Sequence, residues 1–443
     1  MVSIRDFSKF GKQQYQTYKI AYLPSMAVLS MCQDGFSSMR TLVKKGEQIE
    51  EGQIVASECD NSDNKYPACI HSPIPGVIKD IQEISMPNGK NSLSLLIEMS
   101  GNFTFSGRKK DYYDWKNAVS VSRKIKQISE MGIINTFEKN ESLANQLDKI
   151  VTESKSQSAK PLVIRLFDKE SDTSIESFIA NQFKSQVLEG AAIIAEIINA
   201  PFVLFFSQKG EFSIPDESEY NDLFIKTKPE FIEKKIKNYP CGNYKQILKM
   251  TNQFLKTKHS IEYESVLGVS AETCLDVYNG IVHSYPAIDR FIQVQGDAVT
   301  QNQILKVRIG MTLRNIFNEC GGFQEQPSQI IINSLVNGTA ISDIDTPITR
   351  YVHTIFVTTS RYFPRQIQTK CIRCGKCNSI CEEKLRPDKI YERYSAGDPL
   401  GSTYEKTIRF CTECQLCNTV CPSRIPLFQT IKLLKDRQNE ENF

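Results

Sequence analysis

Eight of the chain's fourteen cysteines crowd into residues 371–421. Cys371, Cys374, Cys377 and Cys381 follow the spacing C-x2-C-x2-C-x3-C, and Cys411, Cys414, Cys417 and Cys421 repeat it. Three thiolates at successive three-residue steps wrap one loop around a compact inorganic core. Structural zinc usually draws two ligands from each of two separated knuckles, whereas each run here supplies four thiols. The chain is 443 residues long and MVSIRDFSKFGKQQ has no apolar signal core, so a disulfide framework of the small secreted kind is the weaker explanation. The pattern points to metal ligation. Thiolate-held cubanes change oxidation state without rearranging their ligands, so the chemistry it points to is one-electron transfer.

Other reactive residues carry less. Cys32, Cys59, Cys69, Cys241, Cys274 and Cys320 are isolated, which is the pattern of inert buried thiols. His71, His259, His283 and His353 show no spacing that suits a metal site or a base–nucleophile pair. Neither a G-x-x-x-x-G-K-[ST] nor a G-x-S-x-G motif occurs, and no catalytic residue is assigned. Lys+Arg 54 against Asp+Glu 51, a net charge of +3, gives no bulk attraction for nucleic acid. The most apolar stretch, 187–206, contains Glu189, Glu196, Asn199 and Pro201. It reads as a buried helix followed by a strand, so any membrane attachment is expected through a partner. Arg365, Lys370, Arg373 and Lys376 flank the first cysteine run as an ordinary solvated face, or as a dock for an acidic carrier such as ferredoxin or flavodoxin.

The elements that must position these residues are multidomain α/β and α+β. Residues 1–100 read as a β module: short strand-like runs between 41 and 99 are punctuated by Gly46, Gly52, Gly76 and Asn88-Gly89. Within it, VKKGEQIEEGQIVA resembles half of a biotinyl/lipoyl-type barrel and HSPIPGVIKDI its partner strand pair. The expected hairpin tip, residues 72–76, has no lysine to modify. Residues 101–288 read as an α/β domain, with strands PLVIRLF and PFVLFFS flanking a helix over 175–199. Residues 289–345 give strand, turn, strand and a helix closed by Gly321-Gly322, a β-grasp-like outline. Residues 346–443 are a linker and a helical domain. There Pro387-Asp388 opens a helix stopped by Gly397 and Pro399, Ser402 and Glu405 form a capping box, and Leu427, Ile431 and Leu434 share one helix face.

The cysteine runs resemble those of bacterial two-cluster ferredoxins, in which the fourth cysteine of each run ligates the other cluster. The resemblance implies two [4Fe–4S] clusters, one on Cys371, Cys374, Cys377 and Cys421, the other on Cys381, Cys411, Cys414 and Cys417. Pro422 fits that pattern, whereas Glu382-Glu383 after Cys381 departs from it and is expected to alter the local turn. The whole chain, from about 15 to 435, resembles the RnfC family, a component of the Rnf ion-translocating electron-transport complex. CIRCGKC and CTECQLCNTVCPSRIPL carry the resemblance most sharply, supported by VKKGEQIEEGQ, NYPCGNYKQIL, VQGDAV and NECGGF. It implies a complex-I-flavoprotein-like α/β domain, an SLBB-like β-grasp unit and a position peripheral on the cytoplasmic face of the membrane. Its partners would be the membrane subunits of the complex, with exchange between nicotinamide and ferredoxin or flavodoxin pools.

The family's flavin site has a glycine-rich loop of the GGAGFPT type and a later acidic ECEP-type motif. Here the first position reads EMGIINTFEKN (130–140): Gly132 survives, but Asn135, Thr136, Phe137 and Glu138 replace the glycine run. A bulky ring and a carboxylate are expected to block and repel the flavin phosphate. Near the second position Glu170 and Asp172 remain without the ECEP context and read as solvated loop carboxylates. The resulting expectation is a relay whose FMN and NADH binding is lost or strongly altered. The alternative is a flavin-dependent NADH-oxidising or PduS-type cobalamin-reducing enzyme with a flavin site built from different residues.

Overall fold

The computed structural model describes residues 2–3, 14–31, 39–58, 65–89, 91–101, 109–116, 120–138, 141–153, 159–170, 172–236, 238–239, 241–361, 367–397 and 407–440. Cys32, Cys59, Lys139, Asn140, Arg365, Pro399, Ser402 and Glu405 lie outside these.

The first unit is all β. Met26–Ser30, Asn91–Met99, Gly76–Ser85 and Gln48–Ile49 form one antiparallel sheet; Met39–Thr41, Ile54–Glu58 and Cys69–His71 form another. Ala27, Leu29, Val55, Ile70, Ile78, Leu95 and Ile97 form one buried cluster from strands of both sheets. Each large aliphatic side chain there contributes roughly 1.5–3 kcal/mol by leaving water. Residues 72–76 are not an exposed tip. Ser72 and Ile74 are fully buried, and Ser72 donates its hydroxyl to the Ile74 carbonyl at 2.6 Å.

The runs LVIR and VLFFSQ lack alternation because both faces of their sheet are covered. Four parallel strands lie in the order Pro229–Lys234, Val203–Gln208, Leu162–Arg165, Leu267–Ser270. The helix expected over 175–199 is two helices, Ile175–Gln182 and Lys184–Ile198, broken at Phe183. The Phe183 ring packs 5.2 Å from Phe291 and 5.9 Å from Tyr18, so docking on the next unit accounts for the break.

That next unit is a six-stranded sheet: Lys19–Ile20, Gln303–Arg308, Asp289–Gln295, Thr354–Thr358, Gln329–Ile332, Thr339–Ile341. Leu313, Ile316 and Phe317 of helix Leu313–Glu319 share its core with Ile292, Val294 and Leu305. Thr354–Thr358 pairs with Asp289–Gln295 in the interior of the sheet, so a boundary at 345 would cut it. The N-terminal segment laces the units together. Val2–Ser3 pairs with Asn238–Tyr239 of the α/β body, and Lys19–Ile20 edges the third sheet.

The last unit is helical. Pro387–Ser395 starts on proline and stops before Gly397 (φ 68°), as the sequence predicts. Leu427–Glu440 brings Ile431 and Leu434 against Ile390 and Ile408.

Candidate functional site

The two cysteine runs fold alike, forty residues apart (371 to 411). Arg373 (φ 54°) and Glu413 (φ 58°) are left-handed, as are Gly375 (φ 71°) and Gln415 (φ 58°). Each pair leads into a short helix, Lys376–Ile380 or Leu416–Thr419. The left-handed turns aim backbone donors inward: Arg373 N–H reaches Cys371 Sγ and Leu385 N–H reaches Cys381 Sγ, both at 3.4 Å. The expected difference after Cys381 does not occur. Lys384 (φ 53°) and Arg424 (φ 52°) close equivalent turns, with Lys384 N–H on the Cys381 carbonyl and Arg424 N–H on that of Cys421. Proline favours such a turn by fixing its own backbone angle, and the run after Cys381 forms the turn without one.

Between the loops lie two cavities. Cys371, Cys374, Cys377 and Cys421 line one; Cys381, Cys411, Cys414 and Cys417 line the other. Each takes three thiols from one run and the fourth from the other. Among the described residues no three His, Cys, Asp or Glu side chains come close enough to hold a single metal ion. The thiols ring a void instead, which suits a polynuclear core. Cys417 of the second ring packs on the cluster that holds Cys377 and Cys421 of the first with Ile425 and Leu427, so the rings are neighbours. Burial, reinforced by adjacent thiols, pushes Cys417 up to about 12. Coordinated iron reverses such a shift, because a metal holds its ligand as thiolate.

The rings differ in surroundings. Cys371 and Cys374 are exposed, beside exposed Ile367, Ile372 and Lys370. Arg373 pairs with Glu392 at 3.4 Å. The second ring faces the α/β body: Tyr239 (2% exposed) and Leu416 form one buried cluster, with Val336, Ile380 and Cys414 packed on it. Lys245 meets Glu383 at 3.0 Å across the same junction.

Beyond Tyr239, at the C-terminal ends of the parallel strands, is a polar cavity of about 520 Å3. Ligands of open α/β sheets bind at that end. Its walls include Thr136, Glu138, Arg165, Lys169, Glu170 and His353. Glu170 and Asp172 are not solvated loop carboxylates. Asp172 is buried, and Glu170 accepts from Ser334 Oγ at 2.8 Å and, at a long 3.4 Å, from the Tyr239 hydroxyl. Burial pushes Glu170 up to about 7, partly offset by the Ser334 hydrogen bond, and lowers Lys169 to about 7.

Phe137 does not fill the cavity either. It is buried against Gly268, where a Cβ would lie 2.7 Å from the ring, and beneath the Arg165 guanidinium, 4.5 Å from the ring centre. Arg165 in turn donates to the carbonyls of Phe137 and Gly242 at 3.0 and 2.9 Å.

The carboxylates have the larger effect. Backbone N–H groups at helix N-termini are the natural seat for a phosphate, and here the chain's own acids occupy them. Asp168 accepts from the N–H groups of Glu176 and Ser177 at 2.9 and 3.2 Å, at the start of helix Ile175–Gln182. Glu138 accepts from Tyr244 N–H at 2.5 Å, at the start of helix Tyr244–His259. Glu176 accepts from Glu272 N–H at 3.3 Å, at the start of helix Ala271–Val282. A flavin phosphate would meet filled seats and like charge, so these residues do not fit it.

The four histidines lie apart. His71 is buried, His259 meets Glu230 at 3.1 Å, His283 bonds the Lys110 carbonyl at 2.7 Å, and His353 bonds Arg290 at 3.0 Å. The sequence reading missed Arg165, Lys169 and Tyr239. The signal for the first two was in view, since RLFDKE puts charges directly at the end of an apolar parallel strand. Tyr239 had none, because only the tertiary fold brings it to Cys414.

Paired four-thiol rings on a helical C-terminal unit, behind a β front unit and a mixed α/β middle, define a multidomain iron–sulfur protein. Two family models agree with both ends: the RnfC barrel sandwich hybrid domain matches residues 10–102, and the 4Fe-4S dicluster domain matches residues 367–425. Curated relatives extend the likeness along the chain. The C-subunit of an ion-translocating oxidoreductase complex from Methanosarcina acetivorans is 26% identical, over 84% of this chain and 83% of that protein. Its counterpart in the proton-translocating ferredoxin:NAD(+) oxidoreductase complex of Clostridium ljungdahlii is 25% identical, over 84% and 79%. That of the ion-translocating oxidoreductase complex of Buchnera aphidicola is 24% identical, over 93% and 85%. Over most of its length the chain is thus similar to C-subunits of ion-translocating oxidoreductase complexes. Among solved structures, an NAD+-reducing [NiFe]-hydrogenase aligns with TM-score 0.46 and 12% identity over 73% of this chain and 63% of that one, too weak a likeness to carry an inference.

Proposed function

We infer that this chain is the electron-transfer subunit of a membrane-bound Rnf-type complex, relaying single electrons through two [4Fe–4S] clusters. The observation that carries the reading is the pair of four-thiol cavities, each completed by the fourth cysteine of the other run. Cys371, Cys374, Cys377 and Cys421 hold the first cluster; Cys381, Cys411, Cys414 and Cys417 hold the second. When bound, the clusters supply one-electron redox chemistry. The chain's part is to hold them as neighbours, to exclude water from the second with Tyr239 and Leu416, and to leave the first open at Cys371 and Cys374. That open side, with Ile367, Ile372, Lys370 and Lys376, is where a partner exchanges electrons: another subunit, or an acidic carrier such as ferredoxin or flavodoxin.

No helix among the described residues is long and apolar enough to cross a membrane. Attachment at the cytoplasmic face through membrane subunits fits that, and fits the complexes after which the relatives are named. The domain plan that goes with this reading is a barrel sandwich (1–100), a flavoprotein-like α/β domain (101–288), an SLBB-like β-grasp unit from 289 extended to 358, and the dicluster domain. FMN and NADH are not part of it, because Asp168, Glu138 and Glu176 fill the anion seats of the cavity.

Anaerobically purified protein, assayed for iron, sulfide and acid-released flavin, tests the reading. About eight irons per chain without flavin is the expected result for two cubanes. A stoichiometric flavin would favour a flavoenzyme instead.

A further inference from the structure

The polar cavity and the second thiol ring share a wall. Tyr239 presents its hydroxyl to Glu170 in the cavity, while its buried ring lies in the cluster of side chains that contacts Cys414. A second bridge runs beside it. Ser334 Oγ donates to Glu170 and accepts from the N–H groups of Val336 and Asn337 at 3.0 and 3.2 Å, and Val336 packs on the same Tyr239–Leu416–Cys414 cluster. Glu170, half-buried in the cavity wall, is thus linked to one ring through the buried ring of Tyr239, a path with little water to screen it. The first ring has a carboxylate of its own in Asp388, but that one pairs with Arg386 at 3.2 Å, and Cys371 and Cys374 face solvent. Net charge and solvent exposure around a cluster set its reduction potential.

We propose that Glu170 and Tyr239 are positioning residues for the second cluster: the carboxylate, acting through the buried tyrosine, holds that cluster's potential below the value it would otherwise have. The proposal rests on the reading that both rings carry clusters. A reduced cubane is more negative than an oxidised one, so a fixed carboxylate nearby disfavours reduction. Lys169, the cation beside it, is lowered to about 7 by burial and no longer cancels that charge at pH 8. Whatever enters the cavity and neutralises Glu170 would therefore raise the potential of the second cluster alone.

The test is an anaerobic potentiometric titration of the full chain at pH 8, followed by electron paramagnetic resonance. Iron and sulfide are measured on every sample, and Cys374→Ser identifies the first cluster's signal. Glu170→Gln is expected to raise the second midpoint and leave the first in place. Glu138→Gln, a carboxylate of the same cavity bonded to Tyr244 rather than to Tyr239, is expected to move neither. Tyr239→Phe keeps the ring without the hydroxyl, and Glu170→Gln made in the Tyr239→Phe background should shift the second midpoint less than Glu170→Gln made in the wild-type chain. Two clusters present with the second midpoint unmoved in Glu170→Gln overturns the proposal. Equal shifts of both midpoints overturn it too, since they mean an unspecific charge effect. A wild-type chain with only one cluster overturns the two-cluster reading and this inference with it.

Discussion

Glu170 and Glu176 are carboxylates that burial pushes up to about 7. Each binds its proton more tightly in the folded chain than in the unfolded one, so the stability linked to them is complete below the ordinary carboxylate range. It is lost as pH rises through 7. Thermal unfolding between pH 6 and 8 should therefore show stability falling with pH, and Glu170→Gln should flatten the fall by on the order of 1–2 kcal/mol. An unchanged slope in that variant would mean that Glu170 is already ionised throughout. At the thiols, Cys374→Ser should remove one cluster's resonance signal and leave the other, because Cys374 lines only the first ring. Two intact signals would refute the ligand assignment. The cysteines were legible in the sequence because ligand chemistry depends on local spacing. Glu170 was misread because its burial comes from Ser334 and Tyr239, which lie 164 and 69 residues away.

Left-handed turns are what make a four-thiol loop out of a short run of residues. Gly375 adopts φ 71° without a Cβ penalty, while Gln415 holds φ 58° in the equivalent loop despite its side chain. Gln415→Gly should therefore stabilise the chain by up to about 1 kcal/mol in chemical denaturation, and Gly375→Ala should cost about as much. If both changes destabilise, the Gln415 side chain holds the loop in some other way. Other elements followed their local signals: the proline-started helix at Pro387–Ser395, the helix stopped at Gly321-Gly322, and the uniformly apolar parallel strands. The split at Phe183 was not legible, since it answers to Tyr18 and Phe291 on other units.

Across the whole molecule, buried polar contacts lock the units. Arg350 of the third unit donates to the carbonyls of Gly132 in the α/β body at 2.6 Å and Cys69 in the barrel at 3.2 Å. Arg350→Leu leaves both carbonyls unpaired, and chemical denaturation should show a loss of about 2–4 kcal/mol. A loss below about 1 kcal/mol would mean that the junction is held by apolar packing instead. With the units locked in this way, the polar cavity, Tyr239, the second ring and the first ring follow one another toward solvent at Cys371. On the proposed reading that succession is a path for electrons, and the filled anion seats leave it without a nucleotide entry of its own. The most direct test is to mix the anaerobic, oxidised protein with NADH and, separately, with a one-electron donor such as dithionite, and to follow the visible cluster absorption. The account predicts that dithionite bleaches the absorption and NADH does not. Rapid bleaching by NADH alone, with a flavin released by acid from the same sample, would contradict it.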